Sequence, residues 1–364
     1  MRNDDRILSG VRGALPALFT LALWPACVGA ADPPAYAEHQ DLSCFLEADG
    51  TRRPIRTATD WGQRRAHILH GMQLAMGPLP RPERPTPLDV KIVEEHESDG
   101  LVRRKLAYHT DRPDRRVSAW LLMPRDAHRR SAVLCLHQTT PGGKDSPAGL
   151  SDRATMHYAL ELARRGYVTL SPDYPSLGES EYDFDADDFA SGSMVAIYDN
   201  VRAIDLLQSL PEVDPERIGC IGHSLGGHNG LFTAVFDERI KAVVTCCGFT
   251  SFARYMNGDL TGWSGPRYMP RIAAEYGNSP ERMPFDFTEV IAAIAPRAVH
   301  IVAPLDDDNF DVEGVCDVVR AATPIFKLLG AESKLTASYP DCAHDFPDAD
   351  REQSYRRLDD ILLR

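Results

Sequence analysis

Gly222, His223, Ser224, Leu225 and Gly226 spell G-x-S-x-G, a spacing that sets a serine hydroxyl on a tight turn between a strand and a helix. Ile218 to Ile221 before it reads as a strand, and Leu225 to Val235 after it as a helix. Glycines at 222 and 226 remove side chains that would clash in so sharp a turn, and Gly227 extends the relief. Ser224 is the candidate nucleophile.

A serine hydroxyl attacks poorly at neutral pH unless a base lies in hydrogen-bond reach and an acid orients that base. His344, in Asp341-Cys342-Ala343-His344-Asp345-Phe346, follows the last strand-like run, where a chain order of serine, acid, histidine puts the base. His300 lies inside a strand-like run and reads as a packed residue. His223 and His228 flank the elbow and read as residues that shape it. The acid is expected just after Ala298 to Ala303, where Asp306, Asp307 and Asp308 are adjacent. A position a few residues past the strand end favours Asp307, with Asp306 and then Asp308 behind it.

The oxyanion of an attacked carbonyl needs two backbone N–H donors. Leu225 offers one, and the loop His137 to Lys144 the other, from Gln138 or, as the alternative, Thr139. His137 is expected to order that loop. This constellation predicts acyl transfer through an acyl-enzyme on Ser224. No C-x-x-C pair, H-E-x-x-H helix or Asp-rich calcium loop occurs, so neither metal nor cofactor is expected. The net charge of −13 argues against nucleic acid, whose phosphates call for a basic surface.

These residues need a scaffold that brings distant loops together. After Ser131 short apolar runs alternate with helical periods, the pattern of βαβ units and a mainly parallel sheet. Strands are expected at 132–136, 167–171, 218–221, 242–246, 298–303 and 334–339. Helices are expected at 154–165, 194–209, 225–235, 314–329 and 354–363. Upstream, 90–97, 101–109 and 116–123 read as antiparallel edge strands, the first two a hairpin across Ser98, Asp99 and Gly100. A helix is predicted from Asp60, as cap with Gln63 completing a capping box, to about Met76. Prolines at 78, 80, 82, 85 and 87 make the next stretch an extended strap.

The first 30 residues read as a signal peptide: Arg2, Arg6 and Arg12 precede the apolar run Ala14 to Val28, which ends in Gly29, Ala30 and Ala31. Cleavage is expected after Ala30, leaving a periplasmic or secreted protein with no membrane partner. The apolar run is shorter than the ~20 residues that span a bilayer. Seven cysteines then remain. Cys135 and Cys220 sit in strand-like runs as small hydrophobes, and the set leaves room for one or two bridges.

On Asp214-Pro215-Glu216-Arg217-Ile218 leading into Gly222-His223-Ser224-Leu225-Gly226-Gly227, the chain from Val90 to Arg364 resembles the α/β-hydrolase superfamily. It is most similar to the dienelactone-hydrolase-like and acetyl xylan esterase-like bacterial serine esterases. The resemblance implies an α/β-hydrolase fold: a mainly parallel twisted sheet flanked by helices, with antiparallel N-terminal strands and a small cap insertion at about 250–290. The organisation is then signal peptide 1–30, N-terminal helix and strap 31–89, and catalytic domain 90–364. Dienelactone hydrolases proper carry cysteine where this chain has Ser224, so ordinary esters, small-molecule or oligosaccharide, are the implied substrates.

Acetyl or methyl esters on plant polysaccharide fragments are the expected targets. A prolyl-oligopeptidase-type peptidase is the alternative within the enzymes, with too little chain upstream for a β-propeller. A catalytically inactive binding protein on the same scaffold is the alternative outside them. In the cap, Trp263 and Tyr268 are candidates to stack on a sugar, and Arg267 and Arg271 to grip a uronate carboxylate.

Overall fold

The computed structural model describes residues 33–363 apart from Asp187, all within one compact unit. The expected signal peptide lies outside the described residues. Among those residues no helix is long and apolar enough to cross a membrane.

In chain order the elements are β1 (Cys44–Leu46), β2 (Arg52–Pro54), α1 (Ala58–Met76), β3 (Lys91–Ser98), β4 (Leu101–His109), β5 (Arg116–Pro124) and β6 (Arg130–Leu136). They continue with α2 (Tyr158–Arg164), β7 (Val168–Pro172), α3 (Gly192–Ser209), β8 (Val213–His223), α4 (Leu225–Phe236) and β9 (Ile240–Cys246). The last are α5 (Arg271–Ala274), α6 (Phe287–Ile294), β10 (Ala298–Val302), α7 (Val312–Leu328), β11 (Leu335–Ser338) and α8 (Asp348–Leu362).

Nine strands form one sheet in the order β11-β10-β9-β8-β6-β7-β5-β4-β3. Pairing is parallel from β11 to β7 and antiparallel from β7 through β5 and β4 to β3. This is the α/β-hydrolase fold. Strands covered on both faces need apolar residues at every position rather than alternate ones, and β6, β7 and β8 run Ser-Ala-Val-Leu-Cys-Leu, Val-Thr-Leu-Ser-Pro and Ile-Gly-Cys-Ile-Gly-His, all buried. In β3, the far edge strand, nearly every residue is exposed, and four of its eight are charged, as an edge that must not pair with another chain requires.

Several elements differ from the sequence expectation. Helix α1 starts earlier, because Thr57 is its N-cap: the Thr57 hydroxyl accepts the Asp60 N–H while the Asp60 carboxylate accepts the Thr57 N–H. Asp60 thus closes the capping box rather than opening it. The helix expected at 154–165 is a single 3-10 turn at 154–156 followed by α2. Helix α8 begins at Asp348, a turn and a half before the expected Ser354. At the end of the stretch expected as the cap, Phe287 opens α6, which packs on α4 and α7.

Helix α1 is joined to α6 by a buried ion pair, Arg64 to Glu289, with His39 Nδ1 2.8 Å from the same carboxylate. The N-terminal segment is therefore fastened to the helix layer of the fold.

Candidate active site

Ser224 sits between the end of β8 and the start of α4 with φ 54° and ψ −117°, a conformation that costs any residue with a side chain. Three packing facts impose it. The Ser224 N–H donates to the Cys246 carbonyl across to β9 at 2.8 Å. A Cβ on Gly222 would stand 2.2 Å from the Gly226 carbonyl oxygen, and one on Gly226 2.0 Å from the Leu136 carbonyl oxygen. The turn is thus pinned to β6 and β9 at once, and Ser224 stays half-exposed between buried neighbours. Leu225 is the first residue of α4, so its N–H has no partner one turn back within the helix.

His344 lies in the loop between β11 and α8, and Asp307 in the loop after β10. His344 Nδ1 is 2.9 Å from both carboxylate oxygens of Asp307. The Asp307 side chain is almost fully buried, while Asp306 and Asp308 point outward and are exposed. Burial works to raise the Asp307 carboxyl. The hydrogen bond and charge of His344, with the N–H groups of Asn309 and Phe310, outweigh it and hold the group below the ordinary aspartate range. The His344 loop is anchored on both sides. Arg153 bonds the His344 carbonyl and the Asp345 carboxylate, Thr155 bonds the same carboxylate, and Phe346 is buried against Tyr158.

Three other histidines around the elbow are buried. His223, fully buried, has its imidazole pushed down to about 3 by burial and then by the charge of His344, whose ring meets it edge-on at 4.9 Å. Burial does the same to His228, also to about 3. His137 accepts the Tyr174 N–H on Nε2 at 2.9 Å and donates from Nδ1 to the Gln138 carbonyl at 2.7 Å, which fixes one neutral tautomer. That ring holds the loop after β6 in place.

The same loop is tied down by a buried pair. Lys144 Nζ is 2.9 Å from the Asp173 carboxylate, and Asp173 also accepts the N–H groups of Lys144 and Glu179. Both side chains are within 1% of full burial. Gln138 donates from its amide to Ser146, while Thr139 is exposed at the loop tip.

In the cap, Trp263 is 3% exposed and packs on His228, Phe252, Tyr255, Tyr268 and Phe310. It belongs to this buried aromatic cluster, while its half-buried neighbour Tyr268 has its hydroxyl 3.4 Å from Thr139 Oγ1. Arg267 donates from Nε to Ser176, and its terminal nitrogens have no protein partner among the described residues. Arg271 is turned away, bonding the Leu74 carbonyl on α1 and Glu275. Sequence reasoning missed Phe310, whose ring lies 6.0 Å from that of His344. It also missed Cys247, whose sulfur approaches Asp307 and His344. Cys247 directly follows β9 and Phe310 lies in the loop after β10, the strands that end at the site, and that placement is the one signal that pointed to them.

The family model described as the alpha/beta hydrolase family matches residues 133–358. The chain belongs to the alpha/beta hydrolase family. Among curated relatives of this hydrolase, YtaP of Bacillus subtilis (strain 168) is 28% identical over 214 residues, covering 55% of this chain and 68% of YtaP. Among solved structures, the glucuronoyl esterase from Solibacter usitatus superposes with a TM-score of 0.68 at 18% identity, covering 92% of this chain and 99% of that one. The acetyl xylan esterase from Paenibacillus sp. R4 gives 0.55 at 18% identity, covering 85% and 97%. At such identities the two structures establish the shared hydrolase fold.

Proposed function

We propose that the chain hydrolyses carboxylic esters, acetyl or methyl groups on plant polysaccharide fragments, through an acyl-enzyme on Ser224. The observation that carries this reading is the His344–Asp307 pair beside a strained serine elbow. Ser224 Oγ attacks the ester carbonyl and its proton passes to His344 Nε2. Asp307 holds the ring in the tautomer that leaves Nε2 free and stabilises the imidazolium. The oxyanion is received by the N–H groups of Leu225 and Gln138. The alcohol leaves with the proton from His344, and water activated by the same ring releases the acid. No step calls for a metal or cofactor.

The sugar part of the reading is supported by Tyr268 and Arg267 at the rim, an amphipathic ring and an uncommitted guanidinium fork. It is also supported by the names of the structural neighbours, glucuronoyl and acetyl xylan esterases. Export fits a polymer substrate. The test is release of acetate or methanol from acetylated xylo-oligosaccharides and methyl uronates beside aryl acetates. Turnover of the sugar esters well above the aryl esters is expected. Turnover of aryl esters alone would reduce the reading to a general esterase, and no turnover by folded protein would end it.

A further inference from the structure

Directly behind the elbow, His223, Cys246 and Cys247 bring one imidazole nitrogen and two thiols within 4.8 Å of one another. All three side chains are buried, with exposures of 0–3%. None of the seven described cysteines is bridged. Neither ring nitrogen of His223 has a hydrogen-bond partner among the described residues, a condition it shares with His228 and one that costs a buried polar group free energy.

The sulfurs are already spaced for a tetrahedral ion. Two sulfurs about 2.3 Å from zinc stand about 3.8 Å apart, and a sulfur and a carbonyl oxygen about 3.6 Å apart. Cys246 Sγ and Cys247 Sγ are 3.6 Å apart, and the Asp345 carbonyl oxygen lies 3.5 and 3.4 Å from them.

We propose that His223, Cys246, Cys247 and the Asp345 carbonyl form a binding site for a zinc ion, distinct from the residues that react with substrate. Soft thiolates with an imidazole select zinc over hard cations. Two thiolates cancel the charge of Zn2+, so the loaded site is neutral, as a buried position demands. On binding, each thiol loses its proton to solvent, so two protons leave for each zinc that enters. The set escapes a motif search because its members come from the ends of β8 and β9 and from the loop before α8.

The test is titration of the metal-stripped full chain with Zn2+ in two buffers of different ionisation enthalpy, with X-ray absorption of the wild-type protein at one equivalent. One zinc bound with release of two protons and a shell of two sulfurs is expected. Cys246→Ser is expected to weaken binding at least about tenfold, and Cys342→Ser to leave it unchanged. The absorption arm needs no variant to fold. A shell of nitrogen and oxygen alone, equal affinity in Cys246→Ser, or a purified protein lighter by the two hydrogens of a Cys246–Cys247 disulfide that takes up no zinc would each overturn the site. Binding is read without turnover, so its outcome stands apart from that of the esterase test.

Discussion

His344 Nδ1 is equidistant, at 2.9 Å, from the two carboxylate oxygens of Asp307, a contact that joins the loop after β10 to the loop after β11. Because both lone-pair faces of the carboxylate are turned to one ring nitrogen, the pair resists rotation of the imidazole. Under the proposed mechanism, Asp307→Asn keeps this shape but favours the wrong tautomer. Steady-state hydrolysis of an aryl acetate is expected to fall about 10⁴-fold in kcat. Asp306→Asn, at an exposed position, is expected to stay near wild type, and a reversal of the two would move the acid to Asp306.

The pair also makes a prediction for acid. The folded Asp307 carboxyl lies below its ordinary 3.8, so in this pH range the unfolded chain binds more protons at this residue than the folded one. Its contribution to stability is complete above the ordinary value and disappears as pH falls through the folded value. Urea unfolding at stepped pH should show the gap between wild type and Asp307→Asn closing on the acid side. A gap that widened there would contradict the sign.

Lys144→Met removes one partner of a pair in which both side chains are within 1% of full burial. It leaves Asp173 charged and enclosed, at a cost of about 3–5 kcal/mol. Urea denaturation measures it. Activity of the surviving folded fraction should also fall, since Lys144 closes the loop that carries Gln138.

Gly226→Ala would drive a methyl group into the Leu136 carbonyl, 2.0 Å away. Neither the strand nor the helix start can yield easily, so the cost belongs at the upper end of the about 1–3 kcal/mol of overpacking. Thermal unfolding reads the loss, and residual protein should show a disproportionate fall in kcat as the elbow shifts.

Under the proposed function, Tyr268→Ala is expected to separate sugar recognition from chemistry. KM for acetylated xylo-oligosaccharides is expected to rise about tenfold, the worth of one lost ring contact, with kcat on aryl acetates little changed. An equal effect on both substrates would assign Tyr268 to the cap's core instead.

The elbow was legible because its glycines, serine and flanking runs are contiguous and each residue has one physical job. The parallel strands were legible because burial on both faces leaves unbroken apolar runs. Helix α6 was not, although Phe287, Val290, Ile291 and Ile294 stand at i, i+3, i+4 and i+7. It is only eight residues long and begins in the stretch taken as the cap insertion, where no element of the sheet-and-helix alternation was expected. Trp263 could not be separated from Tyr268 in the sequence, because an aromatic residue serves a core or a rim equally well and the choice is made by chain segments far away. The choice among three adjacent aspartates likewise rested on loop geometry, here the turn in which Asp307 accepts two N–H groups from Asn309 and Phe310.

Ser224 is held at φ 54° and ψ −117°, a region glycine enters freely and serine does not. A protein selected for endurance alone would carry glycine there, and Ser224→Gly is expected to melt at a higher temperature by relieving about 1–3 kcal/mol of strain. That the natural chain keeps the strained residue fits reactivity, rather than robustness, having set this position.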